Sequence, residues 1–123
     1  MTVRDAIELT LNLLADCGVG DWNVAVVETL GKNERGNNIW GQCYYDHKTI
    51  YLSTVPFDEW MFGDDRHVLE TIRHEIAHVL AEGDSHGERF ERALELVPSV
   101  PSRKREFRIE LSKPAAPITS RVQ

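Results

Sequence analysis

The chain has 123 residues, 41% of them hydrophobic and 28% charged, with a formal net charge of −6. That length suits one core and is too short for two, and a globule of this size buries roughly two-thirds of its unfolded surface without needing disulfide staples. The ordinary apolar share argues against global disorder, no stretch reaches the ~20 apolar residues of a membrane span, and an acidic balance excludes a general nucleic-acid grip.

In chain order, Thr2 to about Asp16 reads as a first helix. Val3, Ala6, Ile7, Leu9, Leu13 and Leu14 supply its apolar side, and Cys17-Gly18 offers a stop. The opening Met1-Thr2-Val3-Arg4-Asp5 leads straight into this acidic helix and does not look like a secretory signal. Trp22 to Thr29 is β-branched and apolar and reads as a strand, and Gly31 to Asn38 is a polar turn cluster. Ile39 to Tyr45 and Thr49 to Thr54 read as a hairpin closed by Asp46-His47-Lys48, with Ile50 and Leu52 alternating against Tyr51 and Ser53.

Val55 to Gly63 is an aromatic-rich connection expected to pack its rings on the core. Asp64 or Asp65 can cap the next helix, which should run to about Glu82 and stop at Gly83. A capping box, Ser85-x-x-Glu88, predicts a further helix that continues to about Val97 and ends before Pro98. A short strand from Phe107 to Leu111 and a disordered Pro-Ala-Ala-Pro segment complete the reading. The order is α-βββ-α-α: an α+β domain over residues 1–101, followed by a C-terminal tail over residues 102–123.

Charge separates these two parts. Residues 1–101 carry 8 Lys+Arg against 18 Asp+Glu, whereas residues 102–123 carry 6 Lys+Arg against Glu106 and Glu110. The basic tail is expected to be dispensable for folding and to fold back on its acidic domain, with a weak DNA contact as the alternative. The two cysteines, Cys17 and Cys43, form neither a disulfide framework nor a CxxC metal pair, so a reducing, cytoplasmic setting is expected.

The chemistry concentrates in His74-Glu75-Ile76-Ala77-His78, an HExxH motif. Residues four apart share a helix face, so both imidazoles can reach one ion, and Glu75 can serve as base toward water on it. With 5 His and 12 Glu in the chain, the motif arises by chance with a probability of only about 2%. Leu69, Ile72, Ile76 and Leu80 form one apolar stripe, which leaves His74 and His78 on the opposite side. His86 shares a face with Phe90, Ala93, Leu94 and Val97, and packing that face on the preceding helix would bring it to the first two histidines. Gly87 beside it permits close backbone approach. Asp84, Glu91 and Glu95 are the alternative third ligands, and Asp84 could instead orient an imidazole. The set describes a three-histidine catalytic zinc site with an open fourth position.

Residues 74–90, HEIAHVLAEGDSHGERF, resemble the SprT-like metalloprotease signature: HExxH, a short spacer, then His-Gly and an aromatic residue. Upstream, Trp22, Gly41-Gln42-Cys43-Tyr44 and Ile50-Tyr51-Leu52-Ser53 extend the likeness weakly, so that it covers roughly residues 20–97. The resemblance implies a compact zincin fold, with Zn²⁺ held by His74, His78 and His86, Glu75 as catalytic base, and a protein or peptide substrate. Larger relatives cut proteins bound or crosslinked to DNA and carry a cysteine zinc ribbon, which Cys17 and Cys43 do not supply.

Weaker candidates accompany these. His67, seven residues before His74, could contact substrate or an oxyanion but lies too far along the helix to share the ion. Tyr44, Tyr45 and Tyr51 could supply an oxyanion hydroxyl but read better as packing, as do Trp22, Trp40 and Trp60; His47 reads as a solvated turn residue. Thr49 to Thr54, if it lies at a sheet edge, could hold an extended peptide by strand addition. The expected activity is therefore a zinc-dependent endopeptidase. The alternatives are a non-catalytic zinc-stabilised protein- or nucleic-acid-binding module and, less compatible with Glu75, a three-histidine endoribonuclease.

Overall fold

The computed structural model describes residues 1–55, 65–82, 86–105 and 107, together with the backbone of 121–122. The first helix, α1 (Val3–Asp16), opens at a reciprocal cap. The Thr2 hydroxyl accepts the Asp5 N–H at 3.0 Å, and the Asp5 carboxylate accepts the Thr2 N–H at 3.1 Å. Two amide donors that a helix start leaves without partners are thereby satisfied, and Thr2 stands just outside the helix. The helix buries Ala6, Ile7, Leu13 and Leu14.

Three strands follow, β1 (Asn23–Val27), β2 (Gly41–Tyr44) and β3 (Thr49–Ser53), and a two-residue strand, β4 (Arg121–Val122), which the sequence reading did not anticipate. The β2–β3 hairpin is antiparallel as expected, with Gln42 opposite Tyr51 and Cys43 opposite Ile50. Tyr45 leaves the strand to enter a 3₁₀ turn (Tyr45–His47), and Lys48 adopts the left-handed conformation at φ 44° to close it.

The sheet order is β1-β3-β2-β4, with β1 parallel to β3. The edge position on which strand addition by Thr49 to Thr54 depended is therefore not met: β3 is hydrogen-bonded on both sides. The reason is burial. Ile50 and Leu52 face the helices beside Val24 and Val26 of β1, while Tyr51 and Ser53 are also buried on the far face. A strand covered on both faces belongs in the interior of a sheet. On that far face Tyr44 donates its hydroxyl to Gln42 Oε1 at 2.9 Å and meets Tyr51 edge-on.

The helices α2 (Arg66–Leu80) and α3 (Glu88–Leu96) complete the α+β domain. Asp65 stands at the N-cap of α2, but its carboxylate accepts the Met1 ammonium at 2.6 Å instead of capping an amide. The buried positions of α2 are Val68, Ile72, Glu75, Ile76, Ala77, His78 and Val79, whereas Leu69 and Leu80 are only half-buried. The expected apolar stripe is thus present but rotated, and the histidine side is covered by α3. α3 begins at Glu88 with an extended Gly87 as its N-cap, two residues later than the Ser85 capping box predicted; Ser85 itself lies outside the described residues. His86 therefore precedes the helix. Phe90, Ala93 and Val97 are buried, as their spacing implied.

Arg73 fastens the two helices together. Its guanidinium donates to the Val97 carbonyl from Nε at 3.0 Å and to the Leu94 and Val97 carbonyls from Nη2 at 3.0 and 2.9 Å. The Val97 carbonyl is an acceptor that the end of α3 leaves unpaired, whereas the Leu94 carbonyl also accepts the Val97 N–H at 3.3 Å. Arg73→Ala is expected to lower stability by about 1.5–3 kcal/mol, the scale of hydrogen bonds to a charged group, measured as a shift in the denaturation midpoint. Arg73→Lys should recover little, because one ammonium cannot span the fork. A wild-type midpoint in Arg73→Ala would show that Phe90, Ala93 and Val97 alone hold α3.

The start of the basic tail lies on α1. Ser102 donates from its N–H and hydroxyl to the Asp16 carboxylate at 2.7 and 2.8 Å, and the Arg105 N–H donates to Asn12 Oδ1 at 2.8 Å. The Ser102 amide and hydroxyl, then the Arg105 guanidinium, hold the Asp16 carboxyl below its usual range. Phe107 belongs to no regular element, and most of the strand expected there, like the 56–64 connection, Asp64 and the 114–117 segment, lies outside the described residues. Among the described residues no helix is long and apolar enough to cross a membrane.

Candidate metal centre

The i, i+4 spacing does what helix geometry requires of it. His74 and His78 project from successive turns of α2 with their Nε2 atoms 3.1 Å apart, and the His86 Nε2 lies 3.3 Å from that of His74. The ligand atoms of the three residues all fall within 4.8 Å of one another, the one such group of three among the described residues.

Two physical tests bear on whether this is a metal site. Tetrahedral zinc with Zn–N bonds of 2.0–2.1 Å requires nitrogens roughly 3.3 Å apart. The separations of 3.1 and 3.3 Å from the His74 Nε2 match that geometry. A purely hydrogen-bonded trio fits less well: the His74 Nε2 is common to both contacts, and a neutral imidazole nitrogen cannot serve two such partners with one proton or one lone pair. The residues present fit a metal ion.

Phe90 explains how three imidazoles come to share so small a space. Its ring centroid lies 4.9, 4.5 and 5.1 Å from those of His74, His78 and His86. The ring, held by burial of α3, forms a floor against which all three are set. His78 is fully buried, His74 half-buried and His86 exposed, so the cluster runs from the interior to the surface. On the outer side a cleft of about 480 Å³ is lined by His74, Glu75 and His86 together with Trp40, Gly41 and His67. His78 is anchored below it, where the Tyr45 hydroxyl donates to the His78 carbonyl at 2.8 Å.

Glu75 is only 2% exposed, yet it lines this cleft. Burial pushes its carboxyl up to about 8, and a hydrogen bond from Cys43 pulls the other way. The Cys43 thiol lies 3.1 Å from the Glu75 carbonyl oxygen and 3.5 Å from Oε1. Burial, then the neighbouring Glu75, raise the Cys43 thiol well above its ordinary value, so the sulfur remains a donor.

The other sequence candidates fall into place around this arrangement. His67 is exposed near the start of α2 and lines the cleft. Tyr44 and Tyr51 sit on the far face of the sheet, and Tyr45 is committed to α2, so none of the three lines the cleft. His47 stacks on Tyr44 with ring centroids 5.5 Å apart. Trp22 packs edge-on against Tyr45, whereas Trp40, read as a packing residue, stands on the cleft wall. Glu91 and Glu95 are exposed on α3 and do not join the cluster; Asp84 and Trp60 lie outside the described residues. Gly41, Cys43 and Arg73 are site-building residues that the sequence reading gave no role. The period of two along β2 was the available signal, since it puts Gly41 and Cys43 on one face. The chain matches no protein-family model, no curated protein and no solved structure.

Proposed function

We propose that the chain is a zinc-dependent endopeptidase of SprT-like type. The observation that carries this reading is the convergence of three imidazoles, their ligand atoms within 4.8 Å of one another, beside a buried glutamate that lines an open cleft. A site that only stabilised the fold would be closed by a fourth protein ligand and would gain nothing from that carboxylate.

His74, His78 and His86 would hold the ion, beside the cleft that His74 and His86 line. Zinc, when bound, supplies Lewis-acid polarisation of the peptide carbonyl and lowers the pKa of the attacking water. Glu75 accepts the proton of that water at its carboxylate and delivers it to the leaving amine. Gly41 and Trp40 on one wall, with His67 on the other, confine the peptide chain near these groups. The substrate is a protein or peptide.

The test combines metal analysis with an unbiased peptide-cleavage profile. Protein purified without chelator should carry about one zinc per chain, lose cleavage on metal removal and regain it with zinc. His86→Ala should weaken zinc binding by more than about 100-fold, since loss of a mere supporting contact to a ligand already costs 10–100-fold. Folded protein that neither contains nor rebinds zinc would overturn the reading. Tight zinc binding without cleavage of any peptide would favour the non-catalytic binding module instead.

A further inference from the structure

We infer that strand β2 supplies the groups that position Glu75, Gly41 by leaving space for its side chain and Cys43 by holding its carboxylate, an inference that takes Glu75 as the base of the proposed reaction. Both residues lie on the face of β2 turned to α2, two apart in the pleat, with Gly41 opposite Leu52 and Cys43 opposite Ile50 in the central strand. Leu52 and Ile50 are core residues, so the height of β2 above the helix is set by packing.

The glycine is required for room, not for backbone conformation. Gly41 is not among the glycines with positive φ, which among the described residues are Gly18, Gly31 and Gly36. A methyl group placed on it would lie 2.8 Å from Glu75 Cγ, 3.1 Å from Glu75 Cδ and 3.0 Å from Thr71 Cγ2. Glu75 cannot yield cheaply, because the crowded atoms are the middle of a buried side chain and moving them carries the carboxylate with them. Two residues further on, the Cys43 thiol, with a single proton to share, faces two acceptors of the same residue, its backbone carbonyl at 3.1 Å and its Oε1 at 3.5 Å. β2 therefore meets Glu75 along its whole length, with a gap at the methylenes and a donor at the head.

A merely apolar role for Cys43 makes a different prediction, and three variants separate the two. The probe is the carboxyl ¹³C resonance of Glu75, assigned by its loss in Glu75→Gln and followed in metal-free and zinc-loaded protein. In Cys43→Ala the resonance should move in both forms, zinc should remain at about one per chain, and kcat should fall about tenfold with KM unchanged, the scale of one lost hydrogen bond to a charged group. Cys43→Ser, which keeps a donor, should restore most of the shift and of kcat. Gly41→Ala should move the resonance without removing any core side chain, and it carries the same test if Cys43→Ala does not fold. A resonance unmoved in Gly41→Ala and in whichever Cys43 variants fold would overturn the inference, as would Ala and Ser differing only in melting temperature. If wild-type protein cleaves no peptide while the resonance responds as described, the protease reading fails and the positioning of Glu75 by β2 stands.

Discussion

Glu75→Gln should leave zinc at about one per chain while lowering peptide cleavage at least about 100-fold, the scale on which a general base contributes. Glutamine has the shape of glutamate, so it fits the slot opposite Gly41, and its carbonyl oxygen can still accept from Cys43. What it cannot do is take a proton from water. The melting temperature should hold or rise. Burial raises the carboxyl above its usual range, so folding at neutral pH must either take up a proton or bury a charge. Glutamine does neither. Zinc content, thermal melting and cleavage are therefore three separate readouts. Full cleavage by Glu75→Gln of a peptide that wild type cuts would remove Glu75 from the mechanism, whereas loss of zinc would mean that its carboxylate helps to hold the ion.

Phe90→Ala should have the largest effect on stability, about 3–5 kcal/mol, because it removes a buried aromatic ring whose space the neighbouring helices cannot close. Phe90 is 3% exposed and touches all three imidazoles. Zinc affinity should therefore fall as well, although no ligand is changed. Because zinc binds the folded state, adding it should recover part of the lost melting temperature, and chelator should abolish that recovery. A variant as stable as wild type would show that α3 is held by Arg73 and not by this ring. A variant that is destabilised yet binds zinc normally would show that the three histidines are ordered without their floor.

Much of this site was legible in the sequence because it is local. The distance from His74 to His78 is one helical turn, and any helix that forms there brings the two imidazoles together. Phe90, Ala93 and Val97 announced a buried face by their spacing, and the placing of His86 followed from asking what that face could cover. The histidine cluster is accordingly where the sequence reading and the structure meet. The start of α3 was less legible: the Ser85 capping box is a local signal, but Gly87, in an extended conformation, takes the N-cap. Contact with the cluster is made by His86 from outside the helix.

The sequence by itself determined the order of the three helices and of β1 to β3, the β2–β3 hairpin and the pair of histidines on α2, since each depends on periodicity or turn chemistry over a few residues. Tertiary structure alone decided that β1 joins β3 in parallel, which moves β3 to the interior and sets β2 beside the cleft. It alone brought Cys43 to Glu75 across 32 residues of chain and Arg73 to Val97 across 24. Such contacts leave no local pattern because they arise when separate faces compete for burial, and the winning arrangement is the one in which β3 is covered on both sides and α2 is covered by α3.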